Sequence, residues 1–186
     1  MNVLTEYLSF LKEQSISDIL YHGSYIQGLK YIEPKKSEDD IKYSKRVFGS
    51  ESRMFGAIFA MPWRMIHLRN AVNCKSKDPK DMRNCDTWVI EITRRNMPWF
   101  RKPCSLYHIK ANGWARPKVS QFMSIFSSNY RDVALPEYYT FGKAKVVKEE
   151  KYKSIKECYQ KNGVKFKYKG VSPNYKPSGR DALMGI

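Results

Sequence analysis

The groups best suited to chemistry in this sequence are His22, Gly23 and Ser24, in the stretch "ILYHGSYIQGLKYIEP" that runs from Ile19 to Pro34. An imidazole offers two ring nitrogens that donate or accept according to charge and tautomer. Gly23 has no side chain, so a flat ring can approach its backbone N–H and C=O closely. Ser24 adds a hydroxyl, and Tyr21 and Tyr25 add aromatic faces. Together these groups suit an amide-bearing heteroaromatic ring carried on a ribose. The plainer reading is a turn, with His22 a structural hydrogen-bonder at the end of a buried strand.

Such a triplet acts only where the surrounding elements hold it. Val3, Leu4, Tyr7, Leu8 and Leu11 share one helical face, which predicts a helix over residues 2–14. "DILYHG" predicts a short buried strand ending at Gly23, and "GLKYIEP" a second that stops at Pro34. After the charged loop "KKSEDDIKYSK", "RVF" predicts a short strand. "SESRMFGAIFAMPW" then predicts a helix with Ser50 as its N-cap, running towards Pro62. "NCKSKDPKDMRNCD" reads as an exposed loop and "TWVIEIT" as the strongest strand, with "CSLYHIK" another. "PKVSQFMSIFSS" predicts a short helix, and "EYYTFGKAKVVKEE" a strand or bulged pair with Gly142 at the bulge. "SIKECYQKNG" predicts a last helix with Gly163 as its C-cap. The order of elements predicts an α+β fold, with one domain over residues 1–163 and a basic, aromatic extension over 164–186.

Composition narrows the partners. A chain of 186 residues that is 42% hydrophobic and 14% aromatic has the material for a real core, which argues against wholesale disorder. No apolar run reaches the roughly 18 residues of a membrane span. The N-terminus has no charged leader or cleavage site, so a cytoplasmic location is expected. Cys74, Cys85, Cys104 and Cys158 form no CxxC pair. The expectation is four free thiols in a reducing compartment and no zinc site. A net charge of +16 favours contact with a polyanion, either nucleic acid or an acidic protein.

Beyond these readings, "LYHGS…GL…EP", followed by "RVFGS" and a helix, resembles the His-Tyr-Glu class of ADP-ribosyltransferases, the diphtheria-toxin and poly(ADP-ribose) polymerase type. The resemblance covers Ile19–Ala60 and, more loosely, Leu135–Val147. It implies a split, twisted β-sheet core with a few peripheral helices, NAD as the substrate, and a cleft between the halves of the core. It implies that His22 bonds the ribose, that the Gly23 backbone holds the nicotinamide carboxamide and that Ser24 is an accessory donor. Phe48 stands where the family carries its stacking aromatic, usually Tyr, with Ser50 behind it; Tyr25 is a second stacking candidate. The family's late-strand Glu, which steadies positive charge at the anomeric carbon, corresponds to Glu137 in "LPEYYTFG", with Glu91 in "VIEIT" as the rival. Lys30, Arg46 and Arg53 are the cations available to a pyrophosphate. The acceptor implied by the charge is a nucleic acid or an acidic protein.

Other features compete. "KFKYKGVSPNYKP" interleaves Lys165, Lys167, Lys169 and Lys176 with Phe166, Tyr168 and Tyr175, a pattern that suits single-stranded nucleic acid. It equally suits an edge strand guarded by lysines. A basic binding module without catalysis is therefore the alternative function. A third reading is a non-catalytic relative that binds a protein partner, such as a small phage or mobile-element effector. Trp99 with Arg101 and Trp114 with Arg116 read as contact surface or local packing. His67 and His108, in apolar settings, read as structural.

Overall fold

A computed structural model describes residues 18–35, 45–74, 85–111, 113–114 and 136–176. The helices expected over 2–14 and 117–128 lie outside those residues. The described elements are β1 (Ile19–Ser24), β2 (Tyr31–Ile32), β3 (Val47–Gly49), α1 (Arg53–Ile58), β4 (Leu68–Cys74), β5 (Cys85–Ile92), α2 (Met97–Phe100), β6 (Cys104–Lys110), β7 (Tyr138–Thr140), β8 (Ala144–Tyr152), α3 (Ile155–Lys161) and β9 (Lys165–Tyr168). The fold is thus mixed α+β with mostly strands and few helices. None of the described helices is long and apolar enough to cross a membrane.

The antiparallel strands run in the order β1-β6-β8-β2, and β3 pairs with β7. Two isolated pairs join β3 to the larger group: Tyr21 with Ser50 at one end, and Lys35, just beyond β2, with Arg46 at the other. The layer therefore curls back on itself. Leu20, Ile32, Val47, Tyr107, Ile109, Trp114 and Tyr138 form one core of the curled layer. A second sheet, β4-β5-β9, has β4 antiparallel and β9 parallel to β5. Phe55, Trp88, Phe100, Leu106 and Tyr159 belong to the other core, drawn from α1, β5, α2, β6 and α3. Side chains alternate along a strand. In β6, Cys104 and Leu106 accordingly enter one core, while Tyr107 and Ile109 enter the other.

Glycines set the close approach of α1 to β1. A Cβ on Gly23 would lie 2.4 Å from the Ala60 amide nitrogen, and one on Gly56 would lie 2.7 Å from Tyr21 Cβ. No side chain fits at either position. Further along, α3 is tied to α1 by the buried Tyr159 hydroxyl, which donates to the Ile58 carbonyl at 2.8 Å.

Several sequence expectations are corrected. The N-cap of α1 is Ser52, whose Oγ accepts from the Phe55 amide at 3.2 Å, and not Ser50. Ser50 Oγ donates instead to the Pro136 carbonyl, so it is committed to tertiary structure. Gly142 is not a bulge within paired strands. It lies in the turn between β7, which pairs with β3, and β8, which pairs with β6 and β2. The ends of "NCKSKDPKDMRNCD" are strand rather than loop, since β4 reaches Cys74 and β5 begins at Cys85. Cys85 is disulfide-bonded, whereas Cys104 and Cys158 are free and buried. Cys74 is the residue opposite Cys85 in the β4–β5 register. The bridge at Cys85 is invisible in sequence spacing alone.

Candidate functional site

Three segments far apart in the chain meet on adjacent strands: His22 on β1, Phe48 on β3, and Glu137 immediately before β7. The order β1–β3–β7 follows from the Tyr21–Ser50 pair on one edge of β3 and the register Gly49–Tyr138 on the other.

The junction of β1 with β3 has an unusual detail. Tyr21 and Ser50 exchange both backbone bonds, at 2.7 and 3.0 Å. In a continued antiparallel ladder the next exchanging pair, two residues on, would be Gly23 with Phe48. That pair does not form, because the Phe48 carbonyl is taken by the His22 side chain, whose Nδ1 lies 2.7 Å away. The imidazole thus interrupts the ladder. By the alternation of strand groups, the Gly23 N–H and C=O point towards the β3 edge, past the last pair of that ladder. Among the described residues they have no partner there.

The same bond fixes the ring. A carbonyl only accepts, so Nδ1 carries the proton. Burial lowers the His22 pKa, with the Phe48 bond opposing and Lys35 reinforcing the change, so the ring is neutral near pH 7. Its Nε2 is then a lone-pair acceptor.

Glu137 is 5% exposed, and no described residue hydrogen-bonds its carboxyl. Burial pushes its pKa up to about 8. Continuing the β3–β7 register by one residue sets it across from Ser50, consistent with the bond from Ser50 Oγ to the neighbouring Pro136. Alternation puts Arg46, Phe48 and Ser50 on one face of β3, opposite the face on which Val47 packs into the core. Arg46 is stacked over the Tyr139 ring, with 4.7 Å from its guanidinium carbon to the ring centroid, and over Phe141 at 5.4 Å. His22 shares the face of β1 that Leu20 turns into the core, so the imidazole and the Phe48 ring leave the layer on different sides. What joins these two residues is the imidazole–carbonyl bond.

The remaining candidates fall elsewhere. Ser24 Oγ accepts from the Ile26 amide at 3.1 Å and shapes the turn after β1. Tyr25 meets Trp99 edge-on, with centroids 4.9 Å apart. Glu91 lies on the second sheet, held by Lys169 at 3.2 Å and Arg69 at 3.6 Å. Arg53 is committed to the Glu150 carboxylate by both terminal nitrogens, and its Nε donates to Asn162 Oδ1 at 2.6 Å. On β9, Lys165 and Lys167 are exposed, while Phe166 and Tyr168 pack against the core. The Phe166 and Phe100 centroids are 4.8 Å apart. Trp99 and Trp114 are buried core residues.

Sequence reasoning missed the residues that pin the loop after β1. Glu149 accepts from the Gly28 amide at 2.8 Å and from Ser105 Oγ at 2.7 Å. The Tyr107 hydroxyl donates to the Ile26 carbonyl at 2.8 Å, and Gln27 Nε2 donates to the Cys104 carbonyl at 2.8 Å. The only sequence signal was Gly28, whose φ of 78° is the left-handed conformation that glycine favours. No protein-family model, curated protein or solved structure matches this chain.

Proposed function

We propose that this chain is an NAD-dependent ADP-ribosyltransferase-like enzyme whose site lies where β1, β3 and β7 meet. The observation that carries this reading is the interrupted ladder. By holding the Phe48 carbonyl, His22 leaves the Gly23 N–H and C=O turned to an edge with no partner among the described residues. A carboxamide has the matching acceptor and donor side by side. The resemblance in "HGS…GL" assigns the same backbone to nicotinamide.

In this reading the bond between ribose C1′ and the nicotinamide nitrogen breaks, and its electron pair leaves with nicotinamide. An acceptor nucleophile forms the new bond to C1′ and gives up its proton. Glu137, as the carboxylate, faces the positive charge that develops at C1′. Removing a fixed group of that kind typically costs about 10²–10³ in rate. A cationic nicotinamide ring beside the carboxyl favours the ionised form and offsets the effect of burial. His22, whose ring leaves the layer on the side away from Phe48 and Glu137, contributes by holding the Phe48 carbonyl so that the Gly23 groups stay open. Arg46, stacked over Tyr139 on the same face of β3 as Phe48, is the cation this reading assigns to the pyrophosphate.

The test is release of nicotinamide from NAD, with parent protein compared against Glu137→Gln. The reading expects release from the parent, a loss of about a hundredfold or more in the variant, and a rise in melting temperature when NAD is added. No release together with no thermal protection would leave a non-catalytic binding module.

A further inference from the structure

We propose that the outer face of β2 and β8 is a docking surface for single-stranded nucleic acid. A groove of about 370 Å³ runs along it, lined by Lys30, Tyr31, Lys145, Val147 and Lys148 among others. Tyr31 is 49% and Val147 46% exposed, among the most exposed large apolar side chains described. Tyr31 pairs with Lys145 in the strand register, so a ring and an ammonium group stand side by side. Among the described residues neither Lys30 nor Lys145 has an acidic partner. Lys148 lies 3.4 Å from Glu150, a carboxylate already engaged by Arg53 and His108. The one acid lining the groove, Glu149, is spent on the Gly28 amide and the Ser105 hydroxyl.

A chain of net charge +16 attracts polyanions generally, and two features of this face select among them. Cations spaced along a strand track a phosphate backbone, and an exposed ring offers a stacking platform that an unpaired base can occupy. A duplex keeps its bases stacked inside, and an acidic peptide has no base to stack. The rival basic segment, β9, has turned both of its aromatic rings towards the core, and Lys169 is held by Glu91. It retains cations without a platform. This inference is independent of NAD and of the β1–β3–β7 site.

The experiment is fluorescence anisotropy of the full chain with a labelled oligothymidylate of about 12 nucleotides, between about 50 and 200 mM salt. The expected result is binding that weakens steeply with salt. Tyr31→Ala weakens it about tenfold and Tyr31→Phe preserves it. Lys30→Glu with Lys145→Glu weakens it further and flattens the salt dependence. Lys165→Glu with Lys167→Glu, on β9, changes affinity less than about twofold. Melting curves confirm that each variant is folded. The proposal is overturned if the parent does not bind, if the β9 pair costs as much as the groove pair, or if Tyr31→Ala binds like the parent. Equal competition by polyglutamate overturns it in favour of an acidic protein partner.

Discussion

His22 Nδ1 donates to the Phe48 carbonyl at 2.7 Å, so a side chain occupies the acceptor that the neighbouring backbone amide would otherwise use. Because burial lowers the pKa of this imidazole, the folded chain resists protonating it. The unfolded chain takes up the proton near pH 6.5. Stability from His22 is therefore full above that pH and falls as the solution is acidified through it. In His22→Gln this part of the pH dependence is removed. Thermal melts from pH 8 to pH 5 are expected to show the parent losing more than the variant.

Glu137 has the opposite slope. Its folded pKa of about 8 lies above the ordinary value of 4.5. Its contribution is full below pH 4.5 and is lost as pH rises towards 8 and the buried carboxyl must ionise. Glu137→Gln, which stays neutral, is expected to melt several degrees above the parent at pH 9 and close to it at pH 4. On the proposed function, kcat/KM for nicotinamide release rises with pH, is half-maximal near pH 8 and levels off above it. An activity profile flat across that range would remove Glu137 from the chemistry.

Arg53 and Glu150 tie α1 to β8. The Arg53 guanidinium, followed by His108 and Tyr152, holds the Glu150 carboxyl well below the usual carboxylate range. That stability is present above the ordinary carboxylate pKa and lost as pH falls below it. Arg53 is 39% exposed, so solvent screens the pair, and Glu150→Gln is expected to cost on the order of 1–2 kcal/mol. Urea melts at pH 7 and pH 3 check this: the gap between parent and variant narrows at the lower pH.

Gly23→Ala tests the seat of α1. The added Cβ would meet the Ala60 nitrogen at 2.4 Å and the Gly56 carbonyl oxygen at 2.5 Å, backbone atoms with no rotamer to turn aside. A destabilisation of about 3 kcal/mol or loss of the folded state is expected. Gly142→Ala is the control. Its Cβ meets nothing nearer than the Thr140 hydroxyl at 3.9 Å, and stability is expected to stay within about 0.5 kcal/mol.

Local signals read well in this chain, and pairing did not. "CSLYHIK" became β6 with the same limits, because an apolar, β-branched and aromatic run follows directly on Pro103. The C-cap of α3 is Asn162, and Gly163, the residue after it, ends the helix with a φ of 78°, the left-handed turn that glycine favours there. The expected N-cap of α1, Ser50, is two residues early, because Ser52 also precedes the helix and caps it. What decides between them is the carbonyl of Pro136, 86 residues away from Ser50 in the chain. β4 escaped notice because Arg69, Asn70 and Asn73 break its apolar pattern, and β5 supplies the partner that makes it a strand. At the candidate site, His22 and Gly23 stood out by residue type. The break in the β1–β3 ladder beside Gly23 depends on a tertiary hydrogen bond that periodicity does not encode.

The single-residue join between β1 and β3 has a mechanical consequence. A curled sheet fastened there, among the described residues, by one backbone pair and one imidazole–carbonyl bond parts most readily at that seam, so the amides of residues 21 and 50 report its breathing in hydrogen exchange. A small planar amide lodged beside Gly23 would act as a missing rung, and slower exchange at both positions would record the seam closing around it.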